Sequence, residues 1–228
     1  AHEHAALAWA PLDELDRFSM PPADRPVVAA LTGPDRLLIT PEPGQGDAAE
    51  DAFVDGVCRA LDEGIRRVQL RCAPGDPPRT ERLAAALAQQ CLTAGAALLL
   101  HGLENAGLAL ALRAGLHLRA RELGASAAID AARAQRDAGL PLSAAAHSAA
   151  EIEAAEILGV DDLLLGPVQS TPTHPGQPGL GWLGFEALRA LTALPVYALG
   201  GVGPGDLAEA RQHGAQGVAG IRAFWPKS

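Results

Sequence analysis

The sequence predicts an α/β fold, a compact (β/α)8 TIM barrel preceded by a short non-barrel segment, and three observations predict it. Eight short apolar runs recur between residues 36 and 221. Ala-rich stretches with apolar residues at helical spacing lie between them. Several of these stretches are followed at once by glycine, at 64, 95, 115, 139, 159 and 214, where a left-handed C′ residue ends a helix. Strands alternating with helices imply a parallel sheet. Eight such strands remove their open edges by closing into a ring.

Taken in order, the strands are expected at 36–40, 67–71, 96–101, 115–118, 140–146, 162–166, 195–199 and 217–221. Helices are expected near 47–63, 79–94, 104–114, 126–138, 149–158, 184–192 and 204–213. The segment from Gly166 to Gly184 is a long connection between the sixth strand and its helix, and long loops in compact domains usually carry function.

The totals suit one such domain. The chain has 228 residues, 48% of them hydrophobic but only 4% aromatic, so the core must be mostly Leu, Ala and Val. A net charge of −9 gives no basic footprint for nucleic acid. Of 18 basic residues only Lys227 is lysine, which reads as compositional bias. No apolar run reaches the roughly 18 residues of a membrane span, and no signal peptide is evident. Cys58, Cys72 and Cys91 are odd in number and lack metal-ligand spacing; they fit a reducing cytoplasm.

Residues 1–35 break the rhythm. Trp9-Ala10-Pro11-Leu12-Asp13-Glu14-Leu15 and the Pro-rich run from Met20 to Leu31 suggest one short amphipathic helix at each end. This stretch resembles the C-terminal end of MutT-type Nudix hydrolases, and implies the tail of a preceding domain or a linker, with residues 36–228 forming the barrel. The Nudix box itself is absent from these residues, so Nudix chemistry cannot reside in them.

Active sites of such barrels lie at the C-terminal ends of the strands. Thr40, Gln69, Arg71, His101, His117, Arg119, His147, Ser148, Thr171, Thr173, His174, Gly200, Gly201 and Arg222 stand there. Gly200-Gly201 closes the seventh strand, and Pro204-Gly205-Asp206 opens a helix with Asp206 as its N-cap. Glycines let backbone N–H groups approach an anion, and a helix start adds positive potential. The plainer reading of the glycine pair is a tight turn without a ligand. Ser148 with Glu151 makes a capping box that would aim His147. His117 alternates with apolar neighbours and reads as a packed core histidine or an outward one.

Val68-Gln69-Leu70-Arg71, Gly166-Pro167-Val168 with Thr171-Pro172-Thr173, Leu199-Gly200-Gly201-Val202 and Gly217-Val218-Ala219-Gly220-Ile221 fall in order over about 36–225. Together they resemble thiamine phosphate synthase and its TenI-type relatives, the thiazole tautomerases. The Nudix-like tail resembles a known fusion of a Nudix hydrolase to such a barrel. The resemblance implies a small phosphate ligand of the thiazole class, held by Gly200, Gly201, Ile221 and Arg222. It further implies that Thr171 and Thr173 contact ligand, and that Gln69 and Arg71 hold a pyrimidine diphosphate. Association through helices into homo-oligomers occurs in the family.

The departures from the pattern are specific. The family's lysines fall on Ala73 and His174, its Asn-Asp after strand three on His101-Gly102, and its strand-five serine on Ala145. The second aspartate of its magnesium site falls near Glu122. Ionising a diphosphate needs the metal and lysines to stabilise developing charge. A tautomerase needs only a phosphate grip and an acid/base group, without metal. The resemblance places that group at His147, with His174 as a second candidate. Three readings follow: a TenI-like tautomerase using His147, a synthase with magnesium at a degenerate site, and a non-catalytic ligand-binding barrel serving a Nudix domain.

Overall fold

Eight parallel strands pair in sequence order and close, the eighth against the first. They are β1 Arg36–Ile39, β2 Arg67–Leu70, β3 Ala97–His101, β4 Gly115–Leu118, β5 Leu142–Ala146, β6 Asp162–Leu165, β7 Val196–Leu199 and β8 Gly217–Gly220. The computed structural model describes residues 8–18, 20–21, 24–170 and 179–226. The chain divides into two compact units, Ala1–Gly33 and Pro34–Ser228. In the first, a 3-10 turn covers Leu12–Arg17 and helix α1 covers Arg25–Thr32.

In the second unit the helices are α2 Asp47–Asp62, α3 Pro77–Thr93, α4 Ala106–Ala111, α5 Ser126–Asp137, α6 Ala149–Leu158, α7 Gly181–Arg189 and α8 Leu207–Gln212. Among the described residues none is long and apolar enough to cross a membrane. The expected C′ glycines at 64, 95, 139, 159 and 214 all have positive φ. Gly115 does not. Arg113 takes the left-handed position there, at φ 53°. Gly115 instead opens β4, where an added Cβ would sit 2.9 Å from the Pro141 carbonyl.

Alternation along each strand divides the core in two. One face, with Leu38, Val68, Leu100, Leu116, Leu163 and Val218, packs under the helices. The opposite face forms the small apolar interior of the barrel: Leu37, Ile39, Leu164, Tyr197 and Ala219, with Leu199 and Ile221 against them. Truncating a buried leucine of the helix-facing layer to Ala costs about 2–5 kcal/mol.

A buried polar chain also threads this core, and it starts at the strand beginnings. Arg67 of β2 pairs with Asp162 of β6, and its guanidinium lies 5.7 Å from the Tyr197 ring centroid. The Tyr197 hydroxyl donates to the Pro34 carbonyl at 2.6 Å. Ser143 Oγ donates to Asp162 Oδ1 at 2.6 Å, and lies 3.1 Å from His117 Nδ1. The hydroxyl proton is committed to Asp162, so His117 Nδ1–H is the donor in the second contact.

Candidate active site at the barrel mouth

A cavity of about 400 Å³ opens at the C-terminal ends of the strands, with Gln69, Arg71, His101, His117, His147, Gly200, Gly201, Ile221 and Arg222 in its wall. Those on or just after strands β2 to β5 follow from strand periodicity, and the others come from the loops after β7 and β8. Gln69 and Arg71 continue the inward face begun at Arg67, and His147 continues the face of Ser143 and Ala145. Among the described residues the wall contains no acidic side chain.

His147 is held at the rim from two sides. Its Nδ1 lies 2.5 Å from the Gly166 carbonyl oxygen, which only accepts, so the proton sits on Nδ1 and Nε2 carries the lone pair. Its backbone N–H donates to Glu151 Oε2 at 2.7 Å. Ser148 Oγ accepts from the Glu151 N–H at 3.4 Å. The expected capping box is therefore shifted, because the glutamate reaches back to His147 rather than to Ser148.

His101 and His117 stack behind this rim. Their centroids lie 5.6 Å apart, with 17° between planes. Arg119 Nε donates to His101 Nε2 at 3.3 Å, and the Gln69 carboxamide lies 2.9 Å from His101 Nδ1. With Nε2 accepting, Nδ1 holds the proton, so Gln69 meets it with its oxygen, an atom otherwise buried without a partner. The Gln69 NH2 then takes the buried position of that oxygen. Burial, then Arg119 and Arg71, pulls the His101 pKa down to about 4. Burial, then His101, takes His117 well below its ordinary value. Both rings are neutral at pH 7. His117 is thus an inward core histidine that also reaches the cavity.

The glycine pair meets a packing need first. Gly200 and Gly201 have φ of 96° and 72°. A Cβ would lie 2.5 Å from Pro167 Cβ at Gly200, and 2.6 Å from Gln169 Cβ at Gly201. The chain after β6 runs alongside them: Val168 N–H donates to Leu199 O at 2.8 Å and Gln169 N–H to Gly200 O at 2.9 Å. The turn also leaves donors over. Among the described residues the N–H groups of Gly201, Val202, Arg222 and Ala223 have no hydrogen-bond partner. Arg71 and Arg222 line the same cavity, and among the described residues neither has a carboxylate partner.

Asp206 stands at the expected N-cap position of α8 but makes no side-chain cap hydrogen bond to it. It ends a 3-10 turn, Pro204–Asp206, and its Oδ2 accepts from Gly203 N–H at 2.8 Å. The helix after it has six residues, so the donors available to an anion come from the two loops.

Glu122 is not in the cavity wall. Its Oε2 accepts from the Arg119 N–H at 2.8 Å and the Leu103 N–H at 3.3 Å, while Oε1 pairs with Arg119 Nη1 at 3.0 Å. Magnesium asks for carboxylate and water oxygens in an octahedron. No three acidic, His or Cys side chains converge as a metal site among the described residues. The residues present do not fit the magnesium site assigned to Glu122.

Thr40 is buried and accepts the Arg71 N–H at 3.0 Å, so it supports the loop rather than the cavity. Thr171, Thr173 and His174 lie outside the described residues. Gly166 and Pro167, part of the motif that carries the resemblance but not assigned to the site, line the cavity, and the Arg67–Asp162–Ser143 chain escaped sequence reasoning. For the polar chain a period-two spacing was the signal: Arg67, Gln69 and Arg71 on one strand, and Ser143 and His147 either side of Ala145 on another.

The family model described as thiamine monophosphate synthase (TMP-TENI) matches residues 37–224. A thiamine-phosphate synthase of Synechococcus sp. (strain CC9605) is 32% identical over 175 residues, 76% of this chain and 48% of its own length. One from Saccharopolyspora erythraea is 34% identical, over 79% of this chain and 80% of its own. Among solved structures, a thiamine phosphate pyrophosphorylase from Pyrococcus furiosus has TM-score 0.66 and 25% identity, covering 85% of this chain and 88% of that one. The chain spans about half the length of the first curated relatives it matches.

Proposed function

We propose, since this chain belongs to the thiamine monophosphate synthase family, that its barrel mouth binds a thiazole phosphate and isomerises an exocyclic thiazole tautomer to the aromatic ring. His147 is the acid/base. The observation that carries this reading is the hydrogen bond from His147 Nδ1 to the Gly166 carbonyl. It leaves Nε2 as a basic lone pair on a residue of the cavity wall.

The phosphate is gripped by the unpartnered N–H groups of Gly201, Val202, Arg222 and Ala223, with the Arg222 guanidinium adding charge. Arg71 faces the carboxylate of the ligand, a thiazole carboxylate phosphate. His147 Nε2 takes a proton from a ring carbon, and the C–H electron pair moves through the conjugated system. The same proton, held on the imidazolium, is returned to the exocyclic carbon. One C–H bond breaks and one forms, so no redox partner is needed. Thr171, Thr173 and His174 complete the ligand contacts, His174 on the phosphate or as a second proton carrier.

A second reading is synthase chemistry, joining a pyrimidine diphosphate to the thiazole phosphate. The names of the relatives favour it, and magnesium is compatible with the family. The lack of acidic side chains in the cavity wall among the described residues argues against it. Incubating the protein with the tautomer, and separately with both synthase substrates and magnesium, decides. Aromatisation only in the first supports the isomerase. Thiamine phosphate in the second overturns it, and binding without turnover in either leaves a ligand-binding barrel.

The motif from Trp9 to Leu15 supports a Nudix-type domain upstream of this barrel as part of the same proposal. Trp9, Leu12, Val27 and Leu31 are exposed apolar residues of the first unit, the kind of surface that a neighbouring domain would cover. Homo-oligomerisation through the barrel helices belongs to the same proposal.

A further inference from the structure

We infer that Glu42 is a positioning residue of the mouth: it prolongs β2 by a side-chain hydrogen bond, holds Arg71 on the cavity wall, and so governs the grip on the ligand's carboxylate without touching the ligand.

β2 ends at Leu70, one residue before Arg71. Among the described residues the last backbone bond between the first two strands runs from the Thr40 N–H to the Gln69 carbonyl, at 3.0 Å. Side chains then continue the ladder. The Arg71 N–H donates to Thr40 Oγ1 at 3.0 Å, and the Ala73 N–H donates to Glu42 Oε1 at 2.8 Å. Alternate N–H groups of an extended segment point toward the same neighbour, so these two bonds keep Arg71 extended past the end of the strand. Its side chain then falls on the same face as Gln69, and both line the cavity.

Glu42 is exposed and does not line the cavity, yet its loop is tied down. Arg79, in the first turn of α3, is buried and crosses to that loop. Its Nη2 donates to the Pro43 carbonyl at 3.1 Å and to the Gly44 carbonyl, and its Nε donates to Glu50 Oε1 of α2 at 2.7 Å. A planar fork of donors serves these acceptors together. The residue after Glu42 is thereby pinned to the helix that follows Ala73, which delivers the Glu42 carboxylate to the Ala73 N–H. The inference rests on the reading that Arg71 meets the ligand's carboxylate, and is independent of turnover at His147.

The test is calorimetry of the purified protein with two ligands, thiazole carboxylate phosphate and the thiazole phosphate that lacks the carboxylate. Glu42→Ala is expected to weaken binding of the first about three- to tenfold, the usual net contribution of one hydrogen bond, and to leave the second unchanged. Glu42→Gln keeps an oxygen that accepts the same N–H, and is expected to bind both ligands as the wild type does. Equal weakening for both ligands in Glu42→Ala overturns the inference, as does unchanged affinity for the carboxylate ligand, or a Glu42→Gln as weak as Glu42→Ala. Arg71→Ala separates this inference from the reading beneath it. If Arg71→Ala loses affinity for the carboxylate ligand alone while Glu42→Ala loses none, only the role of Glu42 falls. If Arg71→Ala binds both ligands as the wild type does, or the wild type binds neither, the carboxylate contact and the role of Glu42 fall together.

Discussion

His101 lies nearly parallel to His117, ring centroids 5.6 Å apart, at the boundary between the cavity and the polar chain beneath it. Protonating one ring would place a charge against the other with Arg119 also alongside. The pair is therefore stable only while both are neutral, and this gives the fold a pH dependence.

The folded-state pKa of His101 is about 4, against about 6.5 in an unfolded chain. Below pH 6.5 the unfolded state binds more protons than the folded one, so stability is fully present above that value. It is lost as pH falls toward 4. His101 alone is expected to remove about 2 kcal/mol between pH 8 and pH 5, and His117 acts in the same direction. Urea unfolding at both pH values checks this. His101→Gln should flatten part of the slope, and an unchanged slope would refute the assignment.

His147→Ala is expected to lower tautomer turnover by about 10²- to 10⁴-fold, the usual worth of general acid–base catalysis. Ligand affinity should change little. Turnover and calorimetric binding measured on the same preparation separate the two, and a variant as active as the parent removes His147 from the mechanism.

Arg222→Ala is expected to weaken thiazole phosphate binding about ten- to a hundredfold, since a charge-assisted hydrogen bond contributes about 1.5–3 kcal/mol. Arg222 is exposed, so the melting temperature should hardly move. Calorimetry with the phosphate ester and its dephosphorylated alcohol gives the contrast. Equal loss for both ligands would show that the guanidinium does not meet the phosphate.

Gly200→Ala forces a Cβ to 2.5 Å from Pro167 at φ 96°. It is expected to cost about 1–3 kcal/mol in backbone strain, read as a lower melting temperature, and to shift the segment after β6 that fixes His147. Binding and turnover should therefore fall together. A variant of unchanged stability would contradict the close approach.

Arg67→Met leaves Asp162 buried without its cation and is expected to destabilise the barrel by about 3–5 kcal/mol. Arg67→Met with Asp162→Leu should recover much of that loss, because the pair is removed whole. Denaturant unfolding of both variants measures the difference.

The strand and helix sequence was legible because period-two and period-3.6 patterns, with left-handed glycines behind the helices, are local properties of the chain. Eight such strands left little choice but closure. The convergence of Gln69, Arg71, His147, Gly200, Gly201, Ile221 and Arg222 on one cavity was legible for the same reason, since parallel strands bring all their C-terminal ends to one face. What pairs with what was not. Glu122 looked like a metal ligand until Arg119 folded over Gly102 to meet it. His117 offered no sign of Ser143, 26 residues away, and Arg67 none of Asp162, 95 residues away. Hydrogen-bond partners across a barrel depend on register and shear between distant strands, and only closure of the ring brings those side chains together.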